Sequence, residues 1–289
     1  MEPLGTVARR GLVGCAGNEP HREANGNTRS GFGCRRVRSE AMAKRKVRGI
    51  CRICGEPREL SYEHVPPRCA FNQTPARMYG LEQWVILESG GPAQYRDQQR
   101  GSGYVTLCEE CNNRRGGRWN VPDFCLWART GDAAIRRFPA DQTVTVVSFR
   151  PTKQLRSLPF VKQIVSMMLA LNEPAFGAAY PALREFVVEK ERVGLPDDYR
   201  LYLSLCDIGF ARWVGRYDFL GITLDGEVET VVATELSYYP FTYVLSIGPP
   251  LRMGELTDIT EYAHRPRSDI ITDKLTLAVN GSFLPFDIP

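Results

Sequence analysis

Four cysteines of the chain stand in two Cys-x-x-Cys pairs, Cys51/Cys54 and Cys108/Cys111. Each pair can form a knuckle that presents two thiolates, and two knuckles together can complete a tetrahedral zinc site. Residues 55–107 separate the pairs, a longer span than in compact zinc ribbons. Four protein ligands leave no open coordination position, so we expect this zinc to be structural.

An acid and a histidine, Glu63 and His64, follow the first knuckle. Successive side chains of a β-ribbon point to opposite sides, so one of them can bind a metal while the other reaches a reacting water. Asn112 directly follows the fourth cysteine, where its amide oxygen could complete a divalent-metal site with Glu63. Such oxygen ligands suit Mg²⁺ or Mn²⁺. The simpler alternative is a surface acid, a histidine bonded to a backbone carbonyl and an asparagine in a capping position.

Several arginines near these residues could bind phosphate groups of a nucleic acid. They are Arg68, Arg114, Arg115 and Arg118. The alternative for all four is a solvated basic surface. Outside the two pairs, we expect Cys69, Cys125 and Cys206 to be small buried apolar residues.

These motifs resemble the HNH endonucleases, the ββα-metal fold, in the subgroup whose two Cys-x-x-Cys knuckles bracket the active site. The resemblance covers residues 50–118. It implies that Glu63 and Asn112 bind the catalytic divalent metal, that His64 is the general base, and that the four paired cysteines hold a structural zinc ion. The implied activity is metal-dependent hydrolysis of DNA phosphodiester bonds.

Two features depart from the family pattern. The family has an asparagine shortly before the third cysteine that orients the general base, whereas this chain has Ser-Gly-Tyr-Val-Thr at residues 102–106. Gly116 and Gly117 also fall early in the expected metal-binding helix, which predicts a short or broken helix. Both departures favour a second interpretation, in which a catalytically inactive zinc-ribbon module binds nucleic acid or protein.

The organisation predicted from the sequence is α+β, with a small zinc-stapled ββα-metal domain followed by an α+β domain. Residues 1–45 lack a sustained apolar period, which predicts a disordered basic extension; Met42 resembles a natural translation start. Residues 46–145 contain the zinc domain and a following helix that begins at Asn120 and ends near Gly131. Residues 146–289 form the second domain, with two helices followed by strands.

The 289 residues are 43% hydrophobic and 24% charged, which excludes a wholly disordered or fibrous chain. The longest apolar run, residues 164–171, is far below the ~20 residues that cross a bilayer. We therefore expect a soluble, cytoplasmic protein that does not bind membranes. A reducing compartment agrees with paired cysteines that bind metal rather than form disulfides.

Charge is distributed unevenly along the chain. Residues 1–49 carry 11 Lys+Arg against 4 Asp+Glu, whereas residues 151–289 carry 13 against 18. This asymmetry predicts that DNA, as a polyanion, binds the N-terminal half. For the C-terminal domain the sequence leaves open a homo-oligomer or a protein partner. The enzyme would serve in restriction, phage defence or mobile elements, and the sequence does not select among these.

Overall fold

The structure is a computed structural model. It describes residues 6–10, 47–80, 83, 86, 89–138, 145–151, 153–207, 210–252, 254 and 256–279.

The first half of the chain contains short strands, a π-helix and one long α-helix. They are β1 (Thr6–Arg10), β2 (Val47–Ile50), β3 (Pro57–His64), β4 (Ala76–Gly80), β5 (Arg96–Gln98), β6 (Gly103–Cys108), the π-helix (Glu110–Gly117), α1 (Val121–Ile135), β7 (Val146–Phe149) and β8 (Leu155–Arg156).

The second half has three further α-helices and then mainly strands. They are α2 (Ser157–Leu171), α3 (Pro174–Ala179), α4 (Pro181–Val188), β9 (Tyr199–Leu205), β10 (Phe210–Ile222), β11 (Val228–Tyr238), β12 (Phe241–Ile247), β13 (Thr257–Asp258), a 3₁₀-helix (Thr260–Ala263), β14 (Ile270–Ile271) and β15 (Leu275–Ala278). The mixture agrees with the predicted α+β class.

The largest sheet of the described residues has eight strands in the order β13-β9-β12-β11-β10-β1-β4-β5, and each neighbouring pair is antiparallel. A second sheet, β2-β3-β6, contains the Glu63-His64 pair at the end of β3. β12 is buried throughout, because it lies inside the large sheet with both faces covered.

Strand β1 differs from the predicted disordered extension. Thr6–Arg10 pairs with β4 on one side and with β10 on the other. The physical reason is that β4 and β10 each offer a row of backbone donors and acceptors, which a strand between them satisfies. The rest of the predicted extension, residues 1–5 and 11–45, lies outside the described residues.

Helix α2 is the central helix of the molecule. Its residues Ser157 to Ala170 are all buried, and most of them are apolar; Lys162 and Gln163 are the long polar side chains among them. The Trp127 ring of α1 stacks on the Phe160 ring of α2 with centroids 4.2 Å apart. Buried residues from both predicted domains therefore belong to one continuous cluster, which crosses the boundary predicted between residues 145 and 146.

Helix α1 begins where the sequence predicted and ends later. Asn120 precedes its first residue, but the Asn120 side chain accepts a hydrogen bond from Arg267 (3.3 Å) instead of capping the helix. The predicted stop at Gly131 is wrong, since the helix continues to Ile135. Gly131 instead allows a close approach: a Cβ atom there would lie 2.6 Å from the Phe241 ring.

Candidate functional site

The two knuckles meet as the spacing of the cysteines predicted. The ligand atoms of Cys51, Cys54, Cys108 and Cys111 all lie within 4.8 Å of one another. In the first knuckle the Gly55 amide donates to the Cys51 carbonyl (2.8 Å). Gly55 has a φ of 77°, a left-handed conformation that glycine adopts without a steric penalty.

Hydrogen bonds prepare this cluster for a cation. The Cys108 amide donates to the Cys51 sulfur (3.3 Å), and the hydrogen bond from the Cys111 thiol lowers the pKa of Cys51 to about 4. A thiolate is the form that binds metal. Four sulfur donors this close together can hold a metal ion. They suit a closed structural site, because four ligands fill a tetrahedral coordination shell.

The first knuckle is held against the C-terminal half of the chain. Arg52 donates to the Ala170 carbonyl at the end of α2 (2.5 Å), and Arg184 of α4 donates to the Arg52 carbonyl (3.3 Å). These contacts place α2 beside the sheet that contains Glu63 and His64.

Glu63 is buried, with only 4% of its surface exposed. The β3–β6 pairing contains a bulge between Ser61 and Tyr62, directly before this acid, and a bulge re-aims the side chains that follow it. The Thr106 hydroxyl donates to Glu63 Oε1, while Oε2 has no hydrogen-bond partner among the described residues. Burial raises the pKa of Glu63 to about 8.

His64 is half-buried, and its ring is held by the backbone. Nε2 lies 3.0 Å from the carbonyl oxygen of Arg100, and the Tyr62 ring meets the imidazole edge-on at 5.1 Å. Burial is the main reason that the pKa of His64 is lowered, and it outweighs the hydrogen bond to Arg100. A carbonyl oxygen can only accept, so Nε2 carries the proton and Nδ1 presents a lone pair.

Asn72 fixes the loop that carries this carbonyl. Its Nδ2 donates to the carbonyls of Pro66 (2.6 Å) and Ser102 (2.7 Å), and its Oδ1 accepts from the Ser102 amide (2.7 Å). It thereby joins the segment after His64 to the segment that follows Arg100. Asn72 is only 1% exposed. Sequence reasoning missed it because it lies far from the third cysteine, where the family pattern places an asparagine.

Asn112 lies in the first turn of the π-helix. Its Nδ2 donates to Ser61 Oγ (3.1 Å) and to the Tyr62 carbonyl (3.0 Å). These bonds fix the amide and leave Oδ1 as the atom that can bind a cation. The paired glycines predicted a short or broken helix, and Glu110–Gly117 is an eight-residue π-helix. Cβ atoms on Gly116 and Gly117 would lie 3.2 Å from the Cys111 and Asn112 carbonyls, respectively.

The four predicted phosphate-binding arginines are in different environments. Arg68 is exposed and lies beside His64 in the cavity described below. Arg114 and Arg115 both pair with Glu110, at 3.5 and 3.6 Å. Arg118 is exposed at the end of the π-helix.

A cavity of about 240 Å³ brings part of the predicted site together. Glu63, His64, Arg68 and Asn112 line it, whereas Arg114, Arg115 and Arg118 are not among its lining residues. Another wall belongs to α2, which lies in the second of the two predicted domains. The residues of this wall are Gln163, Ser166, Met167 and Ala170.

The donors in the cavity fit a divalent cation. Glu63 Oε2 is a buried acceptor without a partner among the described residues, and Asn112, whose amide oxygen can also bind a cation, lines the same cavity. Oxygen donors of this kind are preferred by Mg²⁺ and Mn²⁺, and a cation there would favour the charged form of the buried carboxylate.

A disulfide and a second cavity were not predicted. Cys69 and Cys125 form a disulfide with Cα atoms 5.5 Å apart, so they are not simply isolated apolar residues; their proximity depends on packing of α1 that spacing does not reveal. Cys206 is buried, as predicted. A second cavity, of about 120 Å³, has a basic rim formed by Arg129, Arg137, Arg150 and Lys153.

Within the described residues, none of the helices is long and apolar enough to cross a membrane. Comparison of the chain with family models, with curated proteins and with solved structures gave no match.

Proposed function

We propose that this protein is a metal-dependent HNH-type endonuclease that hydrolyses DNA phosphodiester bonds, with a structural zinc ion at the four cysteines and Mg²⁺ or Mn²⁺ beside Glu63 and Asn112. The observation that carries the proposal is the cavity in which an oriented histidine lies with both oxygen donors and with Arg68. These are the groups that phosphodiester hydrolysis needs: a base, metal ligands and a cation for the phosphate.

The proposed reaction begins with proton removal from water at His64. With Nε2–H donated to the Arg100 carbonyl, Nδ1 accepts a proton from the attacking water. The water oxygen forms a bond to phosphorus, and the bond from phosphorus to the 3′ oxygen breaks. The lowered pKa of His64 keeps its imidazole neutral at pH 7 and hence able to act as a base.

The divalent cation, when bound, would stabilise the negative charge that develops on the phosphate and on the leaving oxygen. Glu63 and Asn112 are the residues that would hold it. Arg68, exposed at the cavity, would bind a phosphate of the same strand and position it.

One observation favours the alternative function of a zinc-containing module that binds nucleic acid or protein without cleaving it. Glu63 is buried, and α2 forms a wall of its cavity, so a duplex has restricted access to this acid. The His64 contact to a backbone carbonyl is also one that a purely structural histidine makes.

A nicking assay separates the two functions. Zinc-replete protein is incubated with supercoiled plasmid and with Mg²⁺, Mn²⁺ or Ni²⁺, and relaxed and linear products are quantified. The proposal predicts cleavage that EDTA abolishes and that Asn112→Ala and His64→Ala greatly reduce. DNA binding without cleavage under all three metals would support the binding module instead.

A further inference from the structure

Two buried oxygen atoms without partners point to an unassigned role for helix α2. Glu63 Oε2 and Gln163 Oε1 both lack a hydrogen-bond partner among the described residues, and the two residues are only 4% and 8% exposed. Both residues line the same cavity. Buried acceptors without donors are costly, and each such atom in a folded protein calls for an explanation such as a bound ion or water.

The position of Gln163 is fixed by contacts on both sides of it. The preceding Lys162 donates to the Phe186 carbonyl and to the Glu189 carbonyl (2.8 Å), which anchors α2 to the end of α4. Ser166, one turn further along the same wall, donates its hydroxyl to the Lys162 carbonyl (2.8 Å). Its hydroxyl proton is therefore already used within the helix, whereas the Gln163 oxygen has no such partner.

The Gln163 amide oxygen lies next to the π-helix. A Cβ atom built on Gly116 would lie 3.9 Å from Gln163 Oε1, so the oxygen lies over the glycine turn of the helix that carries Asn112. This is an ordinary van der Waals distance, so the Gln163 amide packs against the π-helix that also carries Asn112.

We propose that Gln163 Oε1 is an oxygen donor to the hydrated divalent cation that Glu63 and Asn112 bind. This inference rests on the proposed metal site of the nuclease. Neutral amide oxygens and a carboxylate make a ligand set suited to Mg²⁺ or Mn²⁺. The ligands of the metal site would then come from helix α2 as well as from residues 50–118.

The test measures Mn²⁺ binding to the full-length, zinc-loaded protein without DNA, by electron paramagnetic resonance of free Mn²⁺. Gln163→Leu removes the oxygen at similar volume, and we expect Mn²⁺ to bind about 10- to 100-fold more weakly, the range for loss of a supporting ligand interaction. Gln163→Glu replaces the neutral oxygen with an anionic one and should bind Mn²⁺ at least as tightly as the wild type. Ser166→Ala is the matched control on the same helix wall and should leave Mn²⁺ affinity unchanged.

Wild-type Mn²⁺ affinity in Gln163→Leu would overturn the inference. Weaker Mn²⁺ binding by Gln163→Glu would also overturn the inference. That result would mean that the Gln163 side chain acts through its N–H groups, which glutamate lacks, and not through its oxygen. Zinc content and thermal unfolding show whether each variant is folded; if the leucine variant is not, the glutamate variant alone decides the question.

The nuclease proposal can fail separately. If the wild type binds Mn²⁺ in a Gln163-dependent manner and cuts no DNA, the inference stands and the nuclease does not. If the wild type cuts DNA and Gln163→Leu binds Mn²⁺ normally, only the inference is lost. No Mn²⁺ binding by the wild type would overturn both.

Discussion

The carbonyl oxygen of Arg100 lies 3.0 Å from Nε2 of His64. Under the proposed nuclease function, this contact takes the orienting role for which residues 102–106 offer no asparagine. The carbonyl is held in turn by Asn72, through the Ser102 backbone. The buried Asn72 thus positions the His64 ring indirectly, through the backbone of residues 100–102.

The zinc prediction concerns the whole quartet. Protein purified without chelator should contain about one zinc per chain, because four thiols within 4.8 Å can enclose one tetrahedral ion. Elemental analysis measures it. Cys54→Ala should lose the zinc, whereas Cys206→Ala, at a buried cysteine outside the quartet, should retain it. Metal-free folded protein with four freely titratable thiols would contradict the assignment.

His64→Ala should reduce plasmid cleavage by about 10²–10⁴-fold, since general-base catalysis is typically worth that much. DNA affinity should change little, because the phosphate-binding cations are other residues. Gel-based cleavage rates and fluorescence anisotropy give the two quantities. His264→Ala is the control, since His264 is exposed and outside the cavity. Equal cleavage by both variants would remove His64 from the mechanism.

Asn72→Ala should impair both stability and cleavage. The substitution leaves the buried Ser102 amide without its partner, and one such group costs about 1–3 kcal/mol in the free energy of unfolding. Displacement of the loop would misplace the His64 ring, which can cost up to about 10²-fold in rate.

A second readout distinguishes positioning from general instability. Mn²⁺ affinity of folded Asn72→Ala should stay at the wild-type value, because Asn72 is not a metal ligand. Gln73→Ala is the neighbouring control; Gln73 is exposed, and its side chain donates to the Arg68 carbonyl (3.2 Å). Wild-type cleavage by Asn72→Ala at a temperature where it is folded would show that the loop does not orient His64.

Arg68→Gln should weaken DNA binding and reduce the salt dependence of the affinity by about one unit of slope, as expected for loss of one phosphate contact. Arg114→Gln should have a smaller effect, because Glu110 already neutralises Arg114 at 3.5 Å. Dissociation constants measured over a series of salt concentrations test this difference. Equal slopes for both variants would mean that Arg68 makes no phosphate contact.

The sequence predicts the parts of the site that depend on short spacing. Cys-x-x-Cys pairs are local geometric units, and this explains why the quartet was correctly predicted across an intervening span of residues 55–107. The convergence of Glu63, His64 and Asn112 follows because β3, β6 and the π-helix are tied to the same knuckles.

The remaining parts depend on contacts that leave no pattern in the sequence. A backbone carbonyl such as that of Arg100 exists at every residue, so nothing marks it as the partner of His64. Gln163 reaches the cavity only because α2 packs against the zinc region through Arg52 and the Ala170 carbonyl. Gly131 looks like a helix stop, but its lack of a side chain serves packing against Phe241.

The stacking of Trp127 on Phe160 has a consequence for protein engineering. Compact nuclease motifs can be moved between proteins as cassettes when their folding is independent of the host. Here a fragment of residues 46–145 would lose the ring that covers Trp127, together with the α2 wall of the cavity. Such a fragment would retain its cysteines and expose an aromatic surface to water. The smallest transferable unit therefore includes the helix that follows residue 156.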